Sequence, residues 1–517
     1  MSWNYDKSLE RIEAHRDNIG EIEIIKLVRE ADLNQLLSET CCRQIYGAHA
    51  YITVSNFPRL ASDTSYVDDD YKRLIQGVHI YQREVARILE GSDIFNGLRV
   101  HFQGPKLHAL FYRPIDNAEK LATNAFLLQL VLKDFVKSVF NPAFPFYENF
   151  EIAGGAGLGD AIGTRNGRRN DRELLFLGAC ANYAAKIISS SGRLRVTKQI
   201  YDALPSDLQE LCTAVDDSEQ VYEIAAVKQH DLDDLLEKYK IKWSREKSAE
   251  RIKTDKQSFS LKDISYSSAN TLIDLDSLSI TNNKRALAVS VFGDVTGFTA
   301  YIDAAETEAE KKTALKVLHV IRKEMATVVA EDFNGLRVQF QGDRVQGLFH
   351  MPKDDESAMA TEAVEAAIGL QSSMEHTFKK AMPDAKDLRL AVGVDLDITL
   401  VSKLGTRAHR DRICLGEAVE AAALNEERCR GGQIGISRRV YNALPEHLSK
   451  HFAYDYRAKC YVASNLTTDK VERSAKASAY RGTGPAFIRS DRSGVSVSTE
   501  ESENARTIIP ARSFASE

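Results

Sequence analysis

The sequence predicts an α+β protein made of two copies of one domain, each with a mainly antiparallel, ferredoxin-like core. The first observation is an internal repeat: the decapeptide at 95–104 recurs at 333–342 with nine of ten residues identical. The second is a shared order of elements, in which a strand, a helix, a hairpin, a helix and a strand follow one another. The third is the length of 517 residues, which leaves about 200 residues for each of two domains.

Each copy begins with a short apolar strand, and a long amphipathic helix follows it. The repeated decapeptide comes next, where alternating apolar residues on both sides of a Gln-Gly turn predict a hairpin. A second helix, a glycine-rich strand, a third helix and a proline-containing end complete the copy. In the first and second copies, the strand covers 48–54 and 286–292, the first helix 71–90 and 308–330, the second helix 116–139 and 356–380, and the later strand 151–160 and 388–395.

The repeat and the composition divide the chain into five segments. A further pair of similar peptides, 201–205 and 441–445, lies about 240 residues apart, which indicates duplication of a whole domain. The segment between the copies begins charged and becomes Ser-rich, and the last segment is rich in Ser, Thr, Arg and Glu, which predicts disorder. The segments are an N-terminal helical extension (1–40), a first domain (41–230), a linker (231–283), a second domain (284–465) and a disordered tail (466–517).

The composition excludes several classes of protein. Lys and Arg total 68 against 74 Asp and Glu, a net charge of -6, so no global positive field attracts nucleic acid or an anionic membrane. The longest apolar runs are far shorter than the roughly 18 residues that span a bilayer, and the first residues are polar. Seven cysteines without a Cys-x-x-Cys pair indicate reduced thiols. We therefore expect a cytoplasmic protein with no nucleic-acid or membrane partner.

Two aspartates in the second copy suggest metal-assisted phosphate chemistry. Asp294 ends the first strand of that copy, and Asp343 lies at the tip of the hairpin. These places are neighbours at one edge of a ferredoxin-like sheet, where two carboxylates can hold two divalent cations. The small residues after Asp294 would turn backbone N–H groups towards a phosphate. Such a pair suits phosphoryl transfer, although a Gly-Asp pair is also common in turns.

These motifs resemble those of the class III nucleotidyl cyclases. The signature of that family is a strand that ends in Asp-x-x-Gly-Phe-Thr, a hairpin Gly-Asp, and a later helix with Asn-x-x-x-Arg. The first two stand in the second copy as 294–299 and Gly342-Asp343. The third stands in the first copy, where Lys186 follows Asn182 at the position of the arginine. The resemblance covers 48–226 and 285–463, and it implies two tandem class III cyclase domains.

Each copy lacks the motif that the other copy keeps. Members of the family work as antiparallel pairs, in which one partner gives the metal aspartates and the other gives the Asn and Arg. The resemblance therefore implies one complete site in an intramolecular pseudo-heterodimer, which needs no second chain, whether the protein is a monomer or a homodimer. The replacements are Thr53 for Asp294, Pro105 for Asp343, Glu420 for Asn182 and Leu424 for Lys186.

The implied reaction is attack of the ribose 3'-hydroxyl on the α-phosphorus of a nucleoside triphosphate, which gives a 3',5'-cyclic nucleotide and pyrophosphate. By resemblance, two Mn²⁺ or Mg²⁺ ions bind Asp294, Asp343 and the carbonyl of Val295. Asn182 orients the ribose, and Lys186 meets the charge at the α-phosphate without the planar fork of arginine. The predicted phosphate-binding residues are Gly297, Phe298, Thr299 and Arg389. The alternative for Arg389 is an exposed charge at a strand end.

The positions that read the base do not carry the residues of either purine class. By resemblance, adenylate cyclases have Lys and Asp there and guanylate cyclases have Glu and Cys, whereas this chain has His101 and Leu175. Arg99 lies two residues before His101, so strand alternation predicts that both point into the base pocket. A larger side chain there favours a smaller, pyrimidine base. The alternative is a half-buried strand histidine, and Arg99 has a counterpart, Arg337, in the copy that reads no base.

A tandem class III cyclase without the purine residues resembles the pyrimidine cyclases of bacterial Pycsar anti-phage systems. Those enzymes make cyclic CMP or cyclic UMP, which activates a separate effector protein. On this resemblance we expect a cytidylate cyclase that converts CTP to cyclic CMP. Uridylate cyclase is the alternative, since Arg and His donors satisfy either base. An adenylate cyclase with an unusual pocket and a non-catalytic nucleotide-binding pseudo-cyclase are the further alternatives.

Overall fold

Each copy forms a nine-stranded sheet with helices packed against it. The structure is a computed structural model that describes residues 2–63, 68–145, 148–166, 173–406 and 409–474. Both copies lie in one unit that ends at Glu472, and the second unit, Arg473–Glu517, contains only two described residues. The predicted α+β class with two similar sheets is confirmed.

The first copy contains nine strands and nine α-helices among its described residues. The strands are β1 (Glu23–Lys26), β2 (Cys41–Val54), β3 (Leu98–Gln103), β4 (Lys106–Phe111), β5 (Ile152–Asn166), β6 (Glu173–Leu177), β7 (Leu194–Thr197), β8 (Cys212–Ala214) and β9 (Val221–Ile224). The helices are α1 (Tyr5–Asn18), α2 (Leu33–Leu36), α3 (Phe57–Asp63), α4 (Asp68–Glu90), α5 (Ala118–Phe135), α6 (Asn141–Ala143), α7 (Ala179–Lys186), α8 (Lys198–Ala203) and α9 (Ser206–Gln209).

Two helices, α10 (Gln229–Lys238) and α11 (Arg245–Ser258), precede the second copy. Its strands are β10 (Tyr266–Ser268), β11 (Asn283–Thr296), β12 (Leu336–Gln341), β13 (Arg344–Phe349), β14 (Arg389–Thr406), β15 (His409–Leu415), β16 (Gln433–Ile436), β17 (Ala453–Asp455) and β18 (Cys460–Ser464). Its helices are α12 (Phe298–Asp303), α13 (Glu308–Thr327), α14 (Glu356–Ser372), α15 (Lys379–Ala381), α16 (Glu417–Arg428), α17 (Arg438–Ala443) and α18 (Glu446–Ser449).

The two sheets have the same topology. The strand order is β3-β4-β2-β5-β7-β9-β8 in the first copy and β12-β13-β11-β14-β16-β18-β17 in the second. The first four strands of the second order, β12, β13, β11 and β14, are antiparallel neighbours. The predicted hairpin is present, since Gln341 pairs with Arg344 across a two-residue turn that contains Asp343.

The two copies are joined because each buries a pair of strands in the core of the other. The first arm, β5 with β6, places Ile162 and Leu175 in the same apolar cluster as Val289 and Val291 of the second copy. The second arm, β14 with β15, places four residues in the core of the first copy: Leu400, Leu404, Ile413 and Leu415. Burial of such side chains stabilises the pairing, since each is worth roughly 1.5–3 kcal/mol relative to exposure.

Buried histidines fasten each arm at the same place. His319 of α13 contacts Thr164 and Asn166 of the first arm, at 3.3 and 2.8 Å from its two ring nitrogens. His79 of α4 accepts a hydrogen bond from the backbone N–H of Gly405 in the second arm, at 3.2 Å. These bonds satisfy polar groups inside an otherwise apolar contact, which fixes the register of each arm on the opposite helix.

The segments before each copy are also exchanged. Helix α1 packs on α13 of the second copy, where Ser8 donates to Glu324 at 2.8 Å and Arg11 pairs with the same carboxylate at 2.6 Å. Helix α11 packs on α4 of the first copy, where Ser248 donates to Glu84 at 2.6 Å and Arg251 lies at 2.9 Å. The carboxylates of Glu84 and Glu324 are buried, so these pairs satisfy charges that cannot reach water.

This finding corrects the interpretation of 231–283 as a linker and of 1–40 as a separate extension. Both segments are folded parts of the repeated unit, which begins upstream of the boundaries taken from the sequence. A short repeat carries the signal: Lys-Ser-x-Glu-Arg-Ile stands at 7–12 and again at 247–252, after a tryptophan at 3 and at 243. The offset is again 240 residues, and both tryptophans are buried.

The predicted start of the disordered tail is also too early. Thr467, Thr468 and Val471 are buried against the second copy, and the N–H of Thr468 donates to Ser372 Oγ at 2.9 Å. Residues 475–517 of the predicted tail lie outside the described residues. All seven cysteines are free in the structure. Over the described parts of the chain, no helix combines the length and apolarity needed to cross a membrane.

We expect Ile252→Ala to destabilise the protein by about 2–5 kcal/mol, because Ile252 of α11 is 1% exposed and packs into the core of the first copy. Ile12→Ala, at the same place in α1, should cost a similar amount. Urea unfolding of the full chain measures both. Lys253→Ala, an exposed position of α11, is the control and should change stability by less than about 0.5 kcal/mol. If α1 and α11 belonged to unpacked connecting segments, all three substitutions would change stability equally little.

Candidate active site

The two predicted metal ligands lie at one edge of the second sheet. Asp294 follows Gly293, which pairs with Val345 of β13, and Asp343 is in the turn two residues before Val345. Both side chains are half-buried. After Asp294 the chain turns at Gly297, whose φ of 91° lies in the left-handed region that favours glycine, and α12 begins at the next residue.

The charges at this edge are unbalanced. Burial raises the pKa of Asp294, and the nearby Arg344 guanidinium opposes the shift. The pKa of Asp343 lies well above its usual range because of burial and because the Asp294 carboxylate is close to it. Two carboxylates that repel each other in a partly buried site are the oxygen donors that Mg²⁺ and Mn²⁺ prefer. Among the described residues, no group of three or more His, Cys, Asp or Glu side chains could hold a metal ion.

Helix α7 of the first copy lies close to the helix that follows this edge. It packs tightly on its own strand β5, since a Cβ at Gly155 would lie 2.2 Å from the carbonyl of Ala184 in α7. Helix α7 also contacts α12, and Lys186 acts electrostatically on Asp303 at the end of that helix. Asn182 is half-buried and Lys186 is exposed. The fold thus brings the helix with Asn182 and Lys186 next to the helix that follows the Asp294 turn.

The predicted phosphate-binding residues lie around the same turn. Thr299 is half-buried in α12, and Phe298 is buried against the core of the second copy. Arg389 begins β14 as the pairing partner of Thr296, so it stands beside the residues that precede α12. Its side chain is exposed. Val295, whose carbonyl was assigned to the metals, has a buried side chain and pairs with Leu390.

Strand alternation, from which we predicted that Arg99 and His101 share one face, does not apply to these two residues. Arg99 pairs with Ala109, whereas His101 pairs with His108, so the register shifts between them and alternation does not put both on one face. Both nonetheless line a cavity of about 380 Å³, together with Leu175. Arg99 also has structural partners, since it lies 3.1 Å from Glu90 and donates to Thr406 of the second copy at 3.2 Å.

His101 is uncharged at neutral pH. Burial, aided by Lys106, lowers its pKa to about 4. Its ring meets that of His108 edge to face, with 5.3 Å between the centroids, and His108 in turn lies 3.0 Å from His49 through ring nitrogens. A neutral imidazole presents one donor and one acceptor nitrogen, which is the pattern needed to meet one edge of a pyrimidine.

The sequence analysis missed one charged residue that lines this cavity, Glu173, and its buried partner, Arg322. Glu173 of β6 forms an ion pair with Arg322 of α13, so the pair joins the first copy to the second. Arg322 also donates to the carbonyl of Gly342 at 2.7 Å, directly before Asp343. Glu173 lies two residues before Leu175, and strand alternation could have indicated that it faces the same way. No sequence pattern connects it with Arg322, 149 positions away.

The residues that replace Asp294, Asp343 and Asn182 in the other copy lie around a second cavity. This cavity, of about 430 Å³, is lined by Thr53 and Pro105 of the first copy and by Glu420 of the second. Burial raises the pKa of Glu420 to about 7, although Arg344 opposes the shift. Leu424 is 42% exposed. This half therefore has neither the carboxylate pair of the metal edge nor an amide and a cation at the positions of Asn182 and Lys186.

The fold and the divided site are those expected of a pair of class III cyclase domains. Residues 282–473 match the family model of the adenylate and guanylate cyclase catalytic domain. The second copy therefore matches the catalytic domain of class III nucleotidyl cyclases, and the first copy repeats its fold.

The similarity to two other proteins extends over most of the chain. A uridylate cyclase of Pseudomonas aeruginosa is 28% identical over 510 residues, which covers 95% of this chain and 96% of the relative. A uridylate cyclase of a Rhizobium species is 24% identical over 497 residues, with 88% and 93% covered. The crystal structure of a class III adenylyl cyclase-like ATP-binding protein from Pseudomonas aeruginosa has the same fold, with a TM-score of 0.78 at 24% identity and coverage of 92% of this chain and 99% of that chain.

The carboxylate pair predicts a pH dependence of stability in the absence of metal. The folded-state pKa of Asp343 lies above the unfolded value near 4, so stability is lost as the pH rises from that value through the folded-state pKa. Asp343→Asn should remove this loss and raise the unfolding midpoint at pH 8 by about 1 °C, the shift that ~1 kcal/mol produces in a unit of this size. Thermal unfolding with a chelator at pH 4 to 8 measures the effect.

Asp217→Asn, at an exposed carboxylate of the first copy, is the control and should leave the midpoint unchanged. A lower midpoint of Asp343→Asn at pH 8 would contradict the prediction, because it would mean that the carboxylate makes a favourable contact in the metal-free protein.

Proposed function

We propose that the protein is a pyrimidine nucleotide cyclase, which converts a pyrimidine nucleoside triphosphate into the 3',5'-cyclic nucleotide and pyrophosphate. The observation that carries the proposal is the complementary loss of residues. The metal aspartates stand only in the second copy, and the amide and the cation stand only in the first copy. The contact between α7 and α12 supports the combination of these halves into one site. A non-catalytic protein has no reason to keep one complete set across two copies.

Asp294, Asp343 and the carbonyl of Val295 would hold two Mn²⁺ or Mg²⁺ ions. The raised pKa values of both aspartates fit this role, because a cation between the carboxylates would relieve their repulsion. Two carboxylates alone leave coordination positions for phosphate oxygens, as is usual for Mg²⁺. When bound, the ions would neutralise the leaving pyrophosphate and favour ionisation of the attacking 3'-hydroxyl.

The remaining roles fall to residues of the chain itself. Asn182 would hold the ribose so that its 3'-hydroxyl faces the α-phosphorus. Lys186 would meet the negative charge that grows on the α-phosphate in the transition state. Backbone N–H groups of 297–299 would bind the terminal phosphates, and Arg389, beside Thr296, would add a positive charge there.

The cavity next to this site favours a pyrimidine base. It carries neutral His101 and apolar Leu175 in place of the residue pairs typical of purine cyclases. Both similar full-length proteins bear the name uridylate cyclase, which favours UTP as the substrate. CTP, expected from the sequence, is the second candidate, since one donor and one acceptor of His101 fit the edge of either base. By the same resemblance, the product would activate a separate effector in cytoplasmic anti-phage defence.

We expect the full chain with Mn²⁺ to produce cyclic UMP or cyclic CMP at least tenfold faster than cyclic AMP or cyclic GMP. Incubation with each of the four triphosphates, followed by chromatography of the products, measures this. Equal or faster turnover of ATP would contradict the pyrimidine assignment and leave the cyclase assignment intact. The ratio of UTP to CTP turnover decides between the two pyrimidine candidates.

Substitutions in the two halves should have unequal effects. Asp343→Ala in one copy and Asn182→Ala in the other should each lower turnover by at least about 100-fold, because each removes an essential part of one site. Glu420 occupies the position equivalent to Asn182 in the opposite half, so Glu420→Ala should retain turnover within about threefold. Equal loss from Asn182→Ala and Glu420→Ala would contradict a single site with divided residues.

A further inference from the structure

Glu173 and Arg322 form an ion pair across the two copies, beside the turn that carries Asp343. We propose that this pair is a positioning device, in which the first copy holds a metal ligand of the second copy in place. The inference rests on the proposed function, because it assigns the pair to the site where the ions would bind.

The contacts form a closed set around the turn. Arg322 donates one bond to the carboxylate of Glu173 and another to the carbonyl of Gly342, at 2.7 Å. Glu173 also accepts from the backbone N–H of Phe340 at 3.3 Å. The guanidinium of Arg322 lies 4.2 Å from the centre of the Phe340 ring. The hairpin is therefore attached to one ion pair at two points before Asp343.

Because Arg322 is buried, it cannot exchange its contact with Glu173 for water. The side chain of Arg322 is 3% exposed, so its charge requires a partner inside the protein. Glu173, 25% exposed, is that partner, and Arg337 of the same hairpin lies 3.7 Å away as a second cation. Loss of the Glu173 charge would leave a buried guanidinium that must move, and the Gly342 carbonyl would move with it.

In the opposite half of the molecule, a neutral residue stands at the position equivalent to Arg322. Gln82 of α4 donates to the carbonyl of Gly104 at 2.7 Å, as Arg322 does to Gly342. Asp411 of the second arm accepts from the N–H of Phe102 at 3.2 Å, as Glu173 does from Phe340. The residue after Gly104 is Pro105, which binds no metal. The position of Arg322 is thus a cation beside the turn with a metal ligand and a neutral amide, Gln82, beside the turn without one.

The test measures metal binding without any nucleotide. The affinity of the full chain for Mn²⁺ is determined by electron paramagnetic resonance of the free ion, for wild type, Glu173→Gln, Arg322→Lys and Asp411→Asn. We expect Glu173→Gln to weaken Mn²⁺ binding by about 10–100-fold, the usual effect of removing a partner that holds a metal ligand. Arg322→Lys, which keeps the charge, should lose less than Glu173→Gln. Asp411→Asn should stay within twofold of wild type.

Kinetics give a second readout, since Glu173→Gln should raise the Mn²⁺ concentration for half-maximal turnover while the KM for the triphosphate at saturating Mn²⁺ changes little. Unchanged Mn²⁺ binding by Glu173→Gln would overturn the proposal, and so would equal weakening by Asp411→Asn, which would indicate a general effect on the interface. If Glu173→Gln does not fold, Arg322→Lys binding Mn²⁺ as tightly as wild type overturns it. Failure of the wild-type chain to cyclise any triphosphate would refute the proposed function, whereas the binding comparison would still decide the role of the pair.

Discussion

The burial of each arm in the core of the opposite copy is the constraint on which the rest of the structure depends. Ile162 and Leu175 of the first arm reach apolar partners in the second copy, and Ile413 and Leu415 of the second arm do the reverse. Because β6 leads directly into α7, this burial also fixes the place of α7 beside α12. The position of the functional side chains therefore follows from packing, not from contacts among those side chains.

An exchanged interface also explains how the two copies could diverge. A site built from both copies occurs twice in a symmetric pair, so one occurrence can be lost while the other stays complete. At the lost site, Thr53 and Pro105 remove the carboxylates, whose burial raises the pKa of both aspartates at the kept site and whose proximity raises the pKa of Asp343 further. The stability cost of an unoccupied metal site is then incurred once instead of twice.

The sequence predicted the features that depend on local pattern. The decapeptide marked the hairpin because its alternating residues and turn are local, and the signature at 294–299 marked a strand end for the same reason. The boundaries at 40 and 231 were misplaced because α1 and α11 are polar helices whose few buried residues pack on the distant copy. The shared face of Arg99 and His101 failed because an irregularity in strand pairing leaves no mark in composition. The pair of Glu173 and Arg322 could not be predicted from the sequence, because the two residues meet only when the arm of one copy packs on the other copy.

Helix α13 and its counterpart α4 show where the copies were free to change. Three of the positions of α13 that contact the first copy have separate partners there: His319 contacts the arm, Arg322 pairs with Glu173, and Glu324 binds α1. At the same offset of 240 residues, α4 has His79, Gln82 and Glu84. The outer two positions keep their residue type, because the arm and the N-terminal helix must be fastened in both copies. Only the middle position differs in charge, and it is the one that contacts the hairpin turn. Divergence at this interface is thus concentrated at the turn that carries Asp343 in one copy and Pro105 in the other, which is where a difference in chemistry between the copies has to arise.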